Sequence, residues 1–488
     1  MRQCRRTPAG TEASRYSANS PKSLCPRYNL NNDPINFAVT DIALLARLRA
    51  GSELWLDESG ARTWAEFGAA VETARRECLA AGVSPGSVVV TPGETKLDAL
   101  AWLFGAAAAG AVVAPLRSAR AGEIQTWKSF IGVGWAVADG RLVRVGEGGW
   151  SPEAARLFGE LRTRRHPGLI LATGGTTGTP KLVLHDLAAL LALVPVKTGR
   201  MNRTMPLMRF DHIGGLDMAW RALAGGQVLV APPAELTPAA VGAMIARHRV
   251  EVLPATPSFL NLLLLAEINR THDLSSLRVV PYGAEPMPAG LLARLRAALP
   301  QIEFVQRFGT SETGALPVQS VEAGLRLPAS ATGFAWKIVD GELWVRSPAR
   351  ALGYLSGGGE RFATEGWFRT GDLAEQRLDG TVSVLGRREE LINVGGEKVL
   401  PSAVESVLQG HPLVADCRVL PAPNALLGQV VVAEIVWRGE PQDAVMVKRL
   451  LHEYAASSLP NCNLPVAVKL VKVIDTTGNL KKLRFLRT

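Results

Sequence analysis

Apolar positions along the chain switch between two periods, and the switches divide it into helices and strands. Thr63 to Ala81 repeats its apolar residues every three to four positions behind a threonine cap and predicts a helix, while Ser87 to Thr91 is a short apolar run that predicts a strand. Leu97 to Leu116 carries Asp98 as its only charge and has the look of a membrane span. Gly110 divides it, however, into an Ala-rich helical part and the strand-like Ala111-Val112-Val113-Ala114, with Pro115 closing the run. The same reading predicts helices at Leu187 to Val194, Pro238 to His248, Pro288 to Ala298 and Asp443 to Ala456. Strands are predicted at Leu169 to Ala172, Gly225 to Val230, Val250 to Leu253, from Leu277, at Gly341 to Pro348, and at Val414 to Leu420, Gln429 to Trp437 and Val466 to Val473. Ser402-Ala-Val-Glu405 reads as a capping box opening a helix to about Gln409. Strand, loop and helix recur, which predicts α/β layers with ligand groups at strand carboxyl ends, then a small α+β region.

Composition narrows the class. With 488 residues, 47% hydrophobic and 20% charged, the chain can bury a large core in more than one domain. The net charge of +10 would suggest nucleic acid, yet about half of the excess lies before Asn32, in Arg2, Arg5, Arg6, Arg15, Lys22 and Arg27 against Glu12. No basic run with interleaved aromatics follows, so a nucleic-acid partner is not expected. Residues 1 to 36 are polar and lack any apolar period, which predicts disorder. They read as a plain tail or as an organelle transit peptide, and both readings stay open. Five scattered cysteines without C-x-x-C spacing point to neither a disulfide framework nor a zinc site, and fit a reducing cytoplasm.

Candidate chemistry begins at Leu169 to Leu184, where a buried strand runs into Thr173-Gly-Gly-Thr-Thr-Gly-Thr179 and then Lys181. Thr173, Thr176, Thr177 and Thr179 offer hydroxyls, Gly174, Gly175 and Gly178 allow backbone N–H groups to approach an anion, and Lys181 adds a point charge. The string is not a Walker loop, which ends in Gly-Lys-Ser/Thr. Taken alone it is a phosphate cradle or a solvated turn. Downstream come Phe210-Asp-His-Ile-Gly-Gly215, Gly283-Ala-Glu-Pro286, Phe308-Gly-Thr-Ser-Glu-Thr-Gly314, Gly366-Trp-Phe-Arg-Thr-Gly-Asp372, Gly386-Arg-Arg-Glu-Glu390 with Gly395-Gly396, and Asp475-Thr-Thr-Gly-Asn-Leu-Lys-Lys-Leu-Arg484.

In this order and spacing the strings resemble the signatures of the adenylate-forming, AMP-binding superfamily: acyl-CoA synthetases, luciferases and nonribosomal adenylation domains. The resemblance implies a large N-terminal multi-sheet α/β domain over residues 37 to 386 and a small mobile C-terminal α+β domain over 387 to 488. It assigns the Thr/Gly loop to the phosphates of ATP, and Gly283, Ala284, Glu285 and Pro286 to a stretch along the adenine. Phe308 and Gly309 then lie at the adenine, Thr310 offers a hydroxyl to phosphate, and Glu312 offers a hard oxygen to Mg²⁺. Asp372 suits both ribose hydroxyls, and Arg387 a ribose or phosphate oxygen. Phe210, His212 and Gly215 become acyl-pocket candidates, with His212 also a candidate for the chemistry. Asp211 pairs with a substrate amine or caps a helix at Gly214.

Departures from the family pattern are Leu182 for glycine, Phe308 for tyrosine, Ser311 for threonine, and Glu389 at the hinge position that is usually Asp or Lys. The largest is at the terminal lysine, whose place falls on Asn479 when aligned without a gap. Lys481 is the expected substitute, with Lys482 second. The implied activity is an ATP- and Mg²⁺-dependent ligase that joins a small carboxylic acid to CoA. The two alternatives are an enzyme loading a carrier-protein phosphopantetheine, and a nucleotide-binding relative that has lost catalysis.

Overall fold

The computed structural model describes residues 38–483 apart from 118–121, 130, 147, 174–180, 197–201, 322–323, 328–332, 357–358, 441–442 and 478–479. The basic leader, Asn479, and the loop residues Gly174, Gly175, Thr176, Thr177, Gly178 and Thr179 lie outside the described residues.

A seven-stranded sheet forms the centre of the large domain. Its order is Gly353–Tyr354, Lys181–Asp186, Gly168–Thr173, Val112–Leu116, Val88–Pro92, Val133–Ala138 and Arg141–Arg144. The inner strands are parallel and their valines are buried on both faces, as helices on either side of a parallel sheet require. The Trp64–Ala80 helix starts in a full capping box between Thr63 and Glu66. It packs on the Leu97–Ala108 helix, whose residues from Ala99 to Ala107 are all buried. Gly105 permits the close approach, since a Cβ there would lie 2.5 Å from Ala74 Cβ and 2.7 Å from Val71 O. Leu97 to Leu116 is thus a core helix and a core strand; among the described residues no helix is long and apolar enough to cross a membrane.

A second sheet runs Gly60–Thr63, Glu53–Asp57, Val228–Val230, Arg203–Thr204, with a parallel pair Val279–Tyr282 and Glu303–Gln306 beyond it. The strand expected at Val250 to Leu253 is reduced to single bridges from Val252 to Thr204 and Val279. Pro254 has no N–H to extend the ladder, and Thr256 and Pro257 already begin the next helix. The Leu187 helix is likewise short, ending at Leu191.

The third sheet is antiparallel and six-stranded: Gln319–Val321, Gly324–Arg326, Val382–Arg387, Phe368–Gln376, Glu342–Arg346, Ala335–Val339. Past Arg387 the chain makes a short turn at Arg388–Glu390 and enters the smaller domain. There Glu397–Val399, Ile392–Val394, Gly428–Trp437 and Val414–Asn424 form a sheet to which Ala467–Leu470 adds in parallel. Helices Pro401–Leu408 and Ala444–Ala455 cover its own apolar cluster. The expected capping box at Ser402 is absent. Leu400 is the cap residue, the Ser402 hydroxyl donates to Leu385 O at 2.6 Å, and Glu405 Oε1 accepts from Val419 N at 2.8 Å.

Candidate functional site

Thr173 pairs with Lys181 in the antiparallel ladder of the strands Gly168–Thr173 and Lys181–Asp186. Lys181 Nζ sits 5.5 Å from the centre of the Tyr354 ring, a cation–π distance. The Tyr354 hydroxyl in turn donates to Glu312 Oε1 at 2.6 Å. Burial, with the neighbouring Glu312 carboxylate adding, pushes the Tyr354 phenol far above its ordinary range, which keeps it a donor. Tyr354 thus ties Lys181 to the Glu312 motif.

That motif is a minute hairpin, Gly309–Thr310 against Gly314–Ala315. A Cβ on Gly309 would lie 2.4 Å from Gly314 O, and Gly314 has φ +69. Thr310 Oγ1 accepts from the Glu312 and Thr313 N–H groups, both at 3.2 Å, and closes the turn, and its own O–H is still a donor. Beneath the turn, His185 Nε2–H donates to Ser311 O at 2.7 Å, and desolvation holds this imidazole neutral. Phe308 is partly buried against the Leu316, Leu325 and Phe334 cluster. Glu312 itself is 7% exposed.

Asp372 and Arg387 face each other across paired strands, with Arg387 Nε 3.0 Å from Asp372 Oδ1. Arg387 Nη1 also donates to Thr370 O at 2.8 Å. Asp372 Oδ2 is buried and has no hydrogen-bond partner among the described residues. A buried acceptor of this kind is costly unless something donates to it, so its chemistry fits a ligand hydroxyl. Burial, and to a lesser degree Glu312, raises the Asp372 pKa, whereas Arg387 opposes the rise. The charge of Asp372 raises that of Arg387 in return. Gly371, φ +73, presents its N–H to Glu342 Oε1 at 2.9 Å, while Arg361 beside it forms an ion pair with Glu389, the residue at the expected hinge position.

His212 caps the Ile213–Ala224 helix: Nδ1 accepts from Gly214 N–H at 3.0 Å. Desolvation, aided by the charges of Lys481 and Arg209, pushes its pKa down to about 3. The ring is therefore neutral near pH 7. It is also the cap that Asp211 was considered for; Asp211 instead pairs with Arg209 at 3.2 Å. Phe210 is buried, and a Cβ on Gly215 would lie 2.1 Å from Arg209 O. A Cβ on Gly283 would lie 2.6 Å from Arg307 O, and Ala284 adopts φ +70. Glu285 next to them gives both carboxylate oxygens to protein donors, Oε2 to Ser258 and Oε1 to the Lys482 N–H.

The terminal loop folds back on itself through a Thr476–Lys482 bridge. Lys481 comes to lie among Glu285, Asp372, Arg387, Glu390 and His212. Burial lowers its ammonium pKa, with the acidic neighbours opposing. Lys482 points the other way, its Nζ 2.7 Å from Asp416 Oδ1 and 2.6 Å from Cys417 O. Successive side chains on an extended segment alternate in direction, which is why two adjacent lysines part company. The structure thus sets the Asp372–Arg387 pair within electrostatic reach of Glu312 and of Lys481. Tyr354, Arg361 and Ser258 support this arrangement and carry no sequence signature, because each is recruited from a distant element, whereas Thr370 stands in the same string as Asp372.

The sequence model of the AMP-binding enzyme family matches residues 151–355, and that of the AMP-binding enzyme C-terminal domain matches residues 403–481. Among curated relatives, the 4-coumarate–CoA ligase-like 2 of Arabidopsis thaliana is 32% identical over 295 residues, 55% of this chain and 52% of that protein. Pyochelin synthase PchD of Pseudomonas aeruginosa is 31% identical over 342 residues, 63% of this chain and 60% of that protein. The chain thus spans little more than half the length of these curated relatives. Among solved structures, the anthranilate CoA ligase AuaEII in complex with anthranoyl-AMP superposes with a TM-score of 0.75 at 19% identity, over 93% of this chain and 97% of that one. The amide bond synthetase McbA from Marinactinospora thermotolerans gives a TM-score of 0.71 at 23% identity, over 91% and 98%. Both likenesses concern the fold. Two matched family models that together span more than half of the chain, and signatures that converge on one space, place this chain in the adenylate-forming superfamily of AMP-binding enzymes.

Proposed function

We propose that this protein is an AMP-forming acid–thiol ligase that activates a carboxylic acid with ATP and passes the acyl group to CoA. The observation that carries this reading is the position of Lys481, a cation brought from the terminal loop to the carboxylates and arginine of the large domain. In the first step a carboxylate oxygen forms a bond to the α-phosphorus, the bond from that phosphorus to the bridging oxygen breaks, and pyrophosphate leaves. Two anions must meet, so the site has to neutralise charge and align the groups. Lys481 supplies a positive charge beside the reacting oxygens, Asp372 Oδ2 accepts ribose hydroxyls, and Arg387 orients that carboxylate. Phe308 offers a flat face to adenine, and Lys181 and the Thr/Gly loop take the outer phosphates.

Mg²⁺ fits Glu312 on the chemistry of the donor. Tyr354 occupies one carboxylate oxygen, and the described residues hold no group of three or more His, Cys, Asp or Glu that could cage a metal. One carboxylate together with substrate phosphates and water is how this ion is commonly held. When bound it would neutralise phosphate charge.

In the second step a thiol sulfur bonds to the acyl carbon and AMP departs. For this the small domain rotates about Glu389, withdrawing Lys481. The Gly395-Gly396 turn, with φ +61 and +102, is exposed in the present orientation and would then border the pantetheine arm. A carrier-protein phosphopantetheine is the alternative acceptor; the relative named pyochelin synthase keeps it in view. The setting we propose is a reducing cytoplasm, where Cys78 is a core residue whose thiol burial pushes up to about 11. Pyrophosphate release across aryl, fatty and amino acids tests the ligase, and CoA against a phosphopantetheinylated carrier then separates the acceptors. Absence of acid-dependent release across the panel would refute it.

A further inference from the structure

Lys481 and Lys482 are adjacent and chemically alike, so something other than side-chain chemistry must decide which one faces the site. Two anchors on Lys482 do so. Its backbone N–H donates to Glu285 Oε1 at 2.6 Å, and its ammonium is buried against Asp416. Glu285 is itself immobilised, because Oε2 accepts from the N–H of Ser258 at 3.1 Å and from its hydroxyl at 2.6 Å. Ser258 stands in the first turn of the Pro257–Leu265 helix, and the N-cap of that helix, Thr256, donates its hydroxyl to Leu480 O at 2.5 Å. One helix end therefore grips the terminal loop on both sides of Lys481. Leu480 has φ +59, a left-handed conformation that leucine seldom adopts, and packs against the apolar cluster of the large domain. Nearby, Asn261 Nδ2 donates to Ala415 O at 3.2 Å, so the same helix also touches the first strand-forming segment of the small domain's core hairpin.

We propose that Glu285, backed by Ser258, is a positioning residue that sets the register of the terminal loop, so that Lys481 faces Asp372 and Arg387 while Lys482 is turned away. By the same bond it holds the small domain in the acyl-AMP-forming orientation. The inference rests on the proposed function for its consequence, but not for its geometry. Glutamine at 285 would leave one acceptor oxygen for two backbone N–H groups, those of Ser258 and Lys482, so one of them loses its partner.

The test uses the full chain without substrates. In Glu285→Gln, amide exchange within Asp475–Leu483 should quicken by about tenfold or more relative to the wild type, while amides of the Val414–Leu420 segment stay as protected as before. Unchanged exchange in the terminal loop overturns the proposal. With substrates, acyl-AMP formation should fall by roughly ten- to a hundredfold, whereas thioester formation from supplied acyl-AMP should keep its rate. An equal fall in both overturns the orientation role. Ser258→Ala, which removes only the hydroxyl, should repeat the split more weakly; a loss confined to thioester formation contradicts it. If the wild type activates no acid, the ligase reading fails and the exchange comparison alone decides the clamp.

Discussion

Glu312, Asp372 and Arg387 each stand in a short string whose residue types match what a nucleotide needs; Asp372 and Arg387 feel the charge of Lys481, and Glu312 feels theirs. Their legibility came from locality. Tyr354, Glu312's partner, is not legible for the opposite reason, because it lies 42 residues further along the chain. Glu312→Gln keeps the shape of the side chain and its acceptor for Tyr354 but removes the charge. It should lower acyl-AMP formation by about two to three orders of magnitude with the circular dichroism spectrum unaltered; undiminished pyrophosphate release from the purified variant would contradict that. The direction of the Lys481 pKa gives a second expectation. Only its protonated form neutralises charge, and burial lowers its pKa, so acyl-AMP formation should decline with rising pH below the usual lysine range of about 10.4. Lys481→Arg should move that alkaline limb out of range even if slower, and an identical limb in the variant would exclude Lys481 as its source.

Among the elements, those whose boundary signals act locally were readable. Thr237 and Pro238 begin the helix that runs to His248, and Thr63 with Glu66 begins the helix that runs to Ala80. Boundaries set by other parts of the fold were not. Ser402 and Glu405 have the spacing of a capping box, yet their side chains serve Leu385 and Val419 on neighbouring strands. Val250 to Leu253 has strand composition but lies between two neighbours with room for bridges only. The glycine within the Leu97–Ala108 helix shows the reverse case, an apparent helix weakener placed where two helices touch. Gly105→Ala adds one methyl group 2.5 Å from Ala74 Cβ, and overpacking of this sort costs about 1 to 3 kcal/mol. The thermal midpoint of the variant should fall by several degrees, roughly 2 to 4 °C per kcal/mol for a domain of this size; an unchanged or higher midpoint would show that the helices yield instead.

At the scale of the whole molecule, α/β layering followed by a small α+β domain follows from the alternation of periods and from the run of signatures. The relation between the domains does not, since it depends on Glu285 and Thr256 meeting a loop 197 and 224 residues later, and on Asn261 meeting a strand in the small domain. In this orientation the small domain delivers Lys481, and the account stands or falls with that lysine. The most direct measurement is acid-dependent ATP–pyrophosphate exchange by the wild type, Lys481→Ala and Lys482→Ala, alongside thioester formation from synthetic acyl-AMP. The wild type should exchange with at least one acid, and Lys481→Ala should lose about 3 to 4 kcal/mol of transition-state stabilisation, several hundredfold in rate, while still forming thioester. Lys482→Ala should act mainly through stability, because it strands the buried Asp416. Exchange by Lys481→Ala within fivefold of the wild type would contradict the account.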